Sequence, residues 1–432
     1  MNKVNYLSEK GIFIEKNVNL SAGTLAWGSK ARQRAKEVKG FIDATIGSAK
    51  NDEGKLFAFK TFEEELKGLS ADKIFGYANV RGQKRFTRAW MEDTLETFPS
   101  EHREKSRLLS TEPITTCGGI TGGLTIAGQL FFDKTDNLLV PNSRWSNVDN
   151  CFFKNQQITE LNYNLIDKEG NLSFDDLIEK IKILEKENKK IGIYFNFPNN
   201  PSGISPTLSQ IKAIQETLKE VKVPTVIILD DAYEGYVHSD EVLDHSIYPY
   251  LIGLNENVLT IKVDGMSKRY SAYGVRLGTI MLGFGKEVDE EEKEDYRELI
   301  AKGARTLTSS SPRGPQEAFA NISEDKKKKK QLKKEKEELK NLLKERYLEI
   351  KRLIKDRENK TIHPVDFNSG FFGYWIIKNN LLSFDLGEKL LEKSLGTVPF
   401  YNKTSGLNGI RLAFCSIKRD DLEKAIDILY SV

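Results

Sequence analysis

The stretch Asp264-Gly-Met-Ser-Lys-Arg-Tyr-Ser-Ala-Tyr-Gly-Val-Arg-Leu-Gly278 sets one lysine, Lys268, among small residues and places Arg276 eight positions on, between Gly274 and Gly278. It follows the strand-like run Asn257-Val-Leu-Thr-Ile-Lys-Val263. A lysine among 66 Lys and Arg residues is by default a solvated surface amine. Here Gly265, Ser267, Ser271, Ala272 and Gly274 leave room beside the ammonium for something flat, and Arg276 offers a seat for an anion. A desolvated lysine near other cations has a lowered pKa and can attack a carbonyl to form a Schiff base. An aldehyde that needs a lysine and a phosphate that needs an arginine describe pyridoxal phosphate.

Working outward, short apolar runs alternate with helical patterns from about residue 115 to 285. Asn137-Leu-Leu-Val140, Ile191-Gly-Ile-Tyr-Phe195, Thr225-Val-Ile-Ile-Leu229 and Val258-Leu-Thr-Ile261 are apolar on both faces, as strands between two helix layers are. Ser173-Phe-Asp-Asp-Leu-Ile-Glu-Lys-Ile-Lys-Ile-Leu184 reads as an intervening helix with a capping-box-like start from Ser173 and Asp176. The alternation predicts an α/β fold with a mostly parallel sheet. Ligands in such sheets bind beyond the carboxyl ends of strands. There the chain carries Asn196-Phe-Pro-Asn-Asn-Pro-Ser-Gly203, which points Asn200 at a site, and Leu229-Asp-Asp-Ala-Tyr-Glu-Gly-Tyr236, which ends a strand in Asp230. A buried carboxylate needs a cationic partner or hydrogen bonds, and a pyridinium nitrogen would serve. Thr116-Cys-Gly-Gly-Ile-Thr-Gly-Gly-Leu124 precedes a helical pattern read over Leu124 to Phe132; its glycines let backbone amides approach a phosphate. Trp145, in Pro141-Asn-Ser-Arg-Trp-Ser-Asn147, is either core filler or a surface on which a ring stacks.

Composition narrows the class. The 432 residues suffice for two or three domains, and 39% hydrophobic with 30% charged residues describe a globular protein. A net charge of +3 gives no reason to expect nucleic-acid or membrane binding. Cys117, Cys151 and Cys415 form no metal spacing, and His102, His238, His245 and His363 form no HExxH pattern, so no metal is expected. No apolar run approaches the roughly 20 residues of a membrane span, and Met1-Asn-Lys-Val-Asn-Tyr-Leu-Ser-Glu-Lys10 lacks a signal-peptide core. The expectation is a cytoplasmic protein. The run Glu324-Asp-Lys-Lys-Lys-Lys-Lys330 continues into mixed charges with Leu332, Leu339, Leu342 and Leu343 at helical spacing, which predicts a long solvated helix with one buried stripe.

From Asp43 to about Ser416 these residues resemble the fold-type I pyridoxal-phosphate enzymes, specifically the class I/II aminotransferases of the aspartate and aromatic type. The resemblance implies a large domain with a seven-stranded, mostly parallel sheet sandwiched by helices, plus a smaller α+β domain. It divides the chain into an N-terminal arm with part of the small domain (1–60), a large cofactor-binding domain (61–325), and a long linking helix with the C-terminal small domain (326–432). Carried over by resemblance, Lys268 looks like the cofactor-bearing lysine, Arg276 the phosphate-binding arginine and Asp230 the partner of the pyridine nitrogen. Tyr233 and Asn200 look like donors to the ring hydroxyl oxygen, and Trp145 like the stacked residue. Thr121, with the backbone of Gly119 and Ile120, falls where the family holds the phosphate, and Tyr77 where a tyrosine reaches the neighbouring subunit's phosphate. Gly47 falls at a substrate-facing glycine, Arg411 at the α-carboxylate clamp, and Arg305 at the arginine for a second substrate carboxylate. Gly265 stands where many members carry a phosphate-binding serine, and Val148 where a histidine often supports the buried aspartate.

The resemblance therefore implies ping-pong amino transfer between an L-amino acid, aspartate or aromatic favoured, and a 2-oxo acid, in a homodimer with composite active sites. A lyase or decarboxylase on the same site is the alternative, because the fold does not fix the reaction. A ligand-sensing regulator would need an N-terminal DNA-binding segment, and about 40 residues before Asp43 are too few for a winged helix and linker.

Overall fold

The computed structural model describes residues 7–19, 23–167 and 169–432. Residues 1–6, the start of the segment read for a signal peptide, lie outside the described residues. At the centre is a seven-stranded sheet in the spatial order Ile114–Cys117, Leu277–Phe284, Val258–Gly265, Thr225–Asp230, Ile191–Asn196, Asn137–Pro141, Thr159–Tyr163. Every pairing is parallel except those made by Leu277–Phe284, which runs antiparallel to both neighbours. The strands are apolar on both faces because alternate residues enter separate cores. Ile227 and Leu229 face one, Val226 and Ile228 the other, with helices covering each. Register brings Asn196, Asp230 and Val263 level at the carboxyl edge, and Lys268 follows directly in the short helix Met266–Arg269.

A second, antiparallel sheet is ordered Val398–Tyr401, Asn408–Leu412, Gly373–Ile377, Ile362–Pro364. Ile42–Asp43 pairs with Leu395–Gly396, and Trp27 and Ala31 of the helix Gly23–Glu37 pack with Leu391 and Val398. The lysine-rich tract is the first turn of one helix, Lys326–Ile354, about 43 Å long. Five lysines at a helix N-terminus oppose the dipole, and acidic partners offset them. Asp325 caps the amides of Lys327 and Lys328, Glu65 pairs with Lys328, and Glu96 pairs with Lys329 and Lys333. Leu332, Leu339 and Leu343 are buried as the spacing predicts, whereas Leu342 is half-buried. No described helix is long and apolar enough to cross a membrane.

Two local readings are corrected. The helix expected from Ser173 spans Asp175–Lys186, and no capping box forms. Phe174 takes the cap position because its ring is drawn against Phe195 and Phe197, and Asp176 accepts from the Asn164 amide instead. The helix read as starting at Leu124 begins at Ile120. Gly122 and Gly123 lie inside its first turn because the helix sits tight on the sheet. A Cβ at Gly122 would stand 1.9 Å from the Cys117 carbonyl oxygen, and one at Gly123 would stand 2.4 Å from Val263 Cγ1.

Behind the carboxyl edge lies a buried ionic network invisible to periodicity. Lys262, inside a strand, pairs with Asp231, with Glu234 at 2.9 Å and with Asp264 at 3.6 Å. Arg269 pairs with Asp93 at 2.7 Å, Glu234 at 2.9 Å and Asp264 at 3.3 Å, while Trp90 Nε1 donates to Asp264 at 2.9 Å. Burial pushes the Glu234 carboxyl up, but Lys262 and Arg269 outweigh it and hold it down at about 2. Removing one partner of such a network leaves charge buried and uncompensated. Lys262→Met is expected to destabilise the protein by about 3–5 kcal/mol, read as a fall in the urea midpoint; an unchanged midpoint would mean the network carries no stability.

Candidate functional site

The carboxyl edge of the large sheet opens into a cavity of about 250 Å³ lined by Lys268, Asp230, Tyr233, Asn200, Arg276 and Arg411, among others. The Lys268 amine lies 5.8 Å from the Tyr233 ring centre and 5.0 Å from that of Tyr273. Tyr273 is fixed in turn, its hydroxyl accepting from the Ala49 amide at 2.8 Å. Burial pushes the Lys268 amine down to about 8, and the Arg276 guanidinium acts in the same direction. A lysine so shifted can lose its proton near neutrality, which a surface lysine cannot.

Asp230 ends its strand 3% exposed. Burial pushes its carboxyl up to about 6, against the Tyr194 hydroxyl, the Ala232 amide and the Lys268 charge. Asn200 is placed by its own loop, its amide donating to Asn196 Oδ1 at 2.9 Å. Arg411, on the strand Asn408–Leu412, donates to Asn200 Oδ1 at 2.9 Å and to the Thr45 carbonyl at 2.6 Å, with its guanidinium over the Phe372 ring at 4.2 Å. Burial brings the Arg411 guanidinium down to about 10, so it remains charged at neutral pH. Nε of Arg411 is buried without a partner, so the guanidinium retains capacity for an anion.

At the other end, the helix Ile120–Phe131 starts from Gly119, whose φ of 67° favours glycine. Gly119 N–H donates to the Arg276 carbonyl at 2.9 Å, and the Arg276 guanidinium donates to the Gly118 carbonyl and to Ser267 Oγ. These bonds hold Arg276 at a φ of 58°, in the left-handed region that a non-glycine residue adopts only when its surroundings enforce it. A helix N-terminus, a guanidinium and the hydroxyls of Thr121 and Ser267 so gathered form an anion seat. An amine, a buried carboxylate, an anion seat and the Trp145 face around one cavity have the chemistry that pyridoxal phosphate requires.

The cavity brings together Gly47, Ile120, Thr121, Trp145, Asn200, Asp230, Tyr233, Lys268, Arg276 and Arg411 of the expected residues, with Gly119 at its rim. A Cβ at Gly47 would stand 2.7 Å from Phe372, so this position takes no side chain without displacing that ring. Tyr77 and Arg305 are not brought in. Tyr77 is 90% exposed, and Arg305, in the last turn of Glu290–Thr308, donates to Ser309 Oγ at 2.6 Å. Sequence reasoning missed Thr24, Ile46, Ser48 and Asn196 as lining residues, and Ser267 was read only as a small neighbour of the lysine. Asn196 could have been found from its place at the strand end level with Asp230; Thr24 reaches the cavity from a distant helix and leaves no local signal.

The sequence matches the family described as aminotransferase class I and II over residues 41–429. The mitochondrial aspartate aminotransferase of Saccharomyces cerevisiae is 26% identical over 263 residues, 55% of this chain and 56% of the yeast protein. The chain thus spans little more than half the length of that relative. An aminotransferase of Anaerococcus prevotii shares the fold with a TM-score of 0.83 at 21% identity, covering 97% of this chain and 98% of that one. The aromatic-amino-acid aminotransferase of Burkholderia pseudomallei, solved covalently bound to pyridoxal phosphate, gives 0.73 at 17% identity, covering 96% and 98%.

A buried lysine with a lowered pKa weakens the fold while charged. Below about 8 the full penalty applies, and stability should rise with pH between 8 and the ordinary lysine value of 10.5. Lys268→Met is therefore expected to stabilise the cofactor-free protein at pH 7 by about 3 kcal/mol. The gain should shrink across that pH window in urea titrations; a constant difference would show that the amine is not destabilised.

Proposed function

The chain belongs to the class I and II aminotransferases, and from that premise we propose that it moves an amino group between an L-amino acid and a 2-oxo acid. The observation carrying this reading is the convergence of Lys268, Asp230, Arg276 and Arg411 on one cavity. The family works with pyridoxal phosphate, whose ring, when bound, takes up the electron pair left as a proton departs the amino-acid α-carbon. In this chain Lys268 would hold the cofactor aldehyde and would move the α-proton as a general base, for which a pKa near 8 suits it. Asp230 keeps a proton on the ring nitrogen. Tyr233 and Asn200 donate to the ring hydroxyl oxygen; the bond from Arg411 to Asn200 Oδ1 turns the amide so that its NH₂ is free for this. Trp145, which lines the cavity, would stack on the ring. Arg276, Thr121 and the amides of Gly119 and Ile120 take the phosphate.

Arg411 grips the α-carboxylate of amino acid and 2-oxo acid alike, and Gly47 lines the cavity with the Phe372 ring packed against it. One cavity serving both substrates in turn supports a ping-pong order. The aromatic walls from Phe372, Trp145 and Tyr233 favour an aromatic amino acid, and a homodimer would bring Arg305 to the distal carboxylate of aspartate and Tyr77 to the phosphate. The exposure of Tyr77 in a single chain supports that assembly.

The reading is tested by offering the enzyme, loaded with pyridoxal phosphate, a panel of amino donors with 2-oxoglutarate. Aspartate or an aromatic donor is expected to yield glutamate; release of ammonia or carbon dioxide without glutamate would make it a lyase or decarboxylase. Arg411→Leu is expected to lower kcat/KM on the order of 10²-fold, mostly through KM. An unchanged KM would remove Arg411 from substrate binding.

A further inference from the structure

We propose that Tyr194 is a positioning residue that sets the ionisation of Asp230: its hydroxyl donates to Asp230 Oδ2 at 2.8 Å and holds the carboxylate charged where the cofactor ring would meet it. The inference rests on the reading that Asp230 faces the ring nitrogen. Both groups are taken out of water, Tyr194 being 0% and Asp230 3% exposed. Among the described residues, Tyr194 is the one side chain that donates to this carboxylate. The only other donor is the Ala232 amide, to Oδ1 at 3.2 Å. Asn196, level with Asp230 on the next strand, spends its amide on the Asp230 backbone carbonyl at 2.8 Å. Val148, which is buried, carries no polar atom to help.

Geometry pins the donor. Tyr194 pairs with Ile228 on the neighbouring strand, so Asp230 is two residues further along and within reach of a long side chain on the same face. The Tyr194 ring meets Phe152 edge-on at 6.3 Å, and Tyr163 fastens its backbone by donating to the Tyr194 carbonyl at 3.2 Å. Burial and the Asp230 charge raise the phenol pKa well above the ordinary value, so Tyr194 stays a donor across the working range. The other ionisable groups facing Asp230 are Lys268 from the short helix, Asp231 and Tyr233 from the following turn, and the Cys151 thiol from Asn150–Lys154. Lys268 favours the carboxylate and Asp231 disfavours it. The hydroxyl is the neutral member of this set that favours the charged form through a fixed bond.

Tyr194→Phe removes the hydroxyl and keeps the ring. In the cofactor-free full chain, ¹³C-aspartate NMR follows the Asp230 carboxyl, assigned by the signal lost in Asp230→Asn. The wild-type midpoint is expected near 6, and in Tyr194→Phe about one pH unit or more higher. As an independent arm that keeps the native shape, 3-fluorotyrosine at position 194, a stronger donor, should move the midpoint down. Pyridoxal phosphate affinity at pH 7 should fall about 10-fold in Tyr194→Phe, and the loss should shrink as pH rises above the variant's midpoint. An Asp230 midpoint unmoved by either change, or an affinity loss equal at every pH, would assign Tyr194 to packing and overturn the proposal. If neither protein binds pyridoxal phosphate, the cofactor reading fails, and the Asp230 midpoint alone upholds or overturns the role of Tyr194.

Discussion

The site stands on the buried ionic network of Lys262 and Arg269 with Asp231, Glu234, Asp264 and Asp93. Two cavity-lining side chains, Asp230 and Lys268, each sit next in sequence to a member of that network. Asp231 anchors one turn and Arg269 the other, so charges that do not line the cavity fix the backbone beside it. Charge pairs taken out of water hold position because any displacement leaves an ion unsatisfied. The same network joins the strand that ends in Asp230, the strand Val258–Gly265 that leads to Lys268 and, through Asp93 and Trp90, the helix Lys84–Thr97.

Around that floor, burial rather than direct charge sets the chemistry. It lowers the Lys268 amine and raises the Asp230 carboxyl, moving both toward neutrality. The polar supports of Asp230 limit its shift, so a carboxylate can persist in an apolar strand end. At the anion seat, the left-handed backbone of Arg276 is held by its reciprocal bonds with Gly118 and Gly119, which places a guanidinium at a helix N-terminus.

Much of this was legible in the sequence, and the reasons are local. The large sheet announced itself through runs apolar on both faces, and the cavity residues follow those runs at strand ends. What stayed hidden depends on distant contacts. Lys262 reads as an interruption of an apolar strand until Asp231 and Glu234 stand opposite it. Tyr194 reads as one more aromatic in a core strand until its hydroxyl meets Asp230. Ser173 and Asp176 have the right spacing for a capping box, yet Phe174 gains more by entering the core. The glycines before Leu124 read as a loop, but close packing against Val263 and the Cys117 carbonyl puts them inside the helix. Tyr77 and Arg305 do not line their own chain's cavity.

The central claim is that Lys268, in a chain with 66 Lys and Arg residues, is the amine that takes the cofactor. Its most direct test is to load the protein with pyridoxal phosphate, fix the bound cofactor with borohydride, and locate the modified lysine by peptide mass spectrometry. The account predicts one cofactor per chain, on Lys268. Modification spread over surface lysines, or a single site elsewhere, would contradict it.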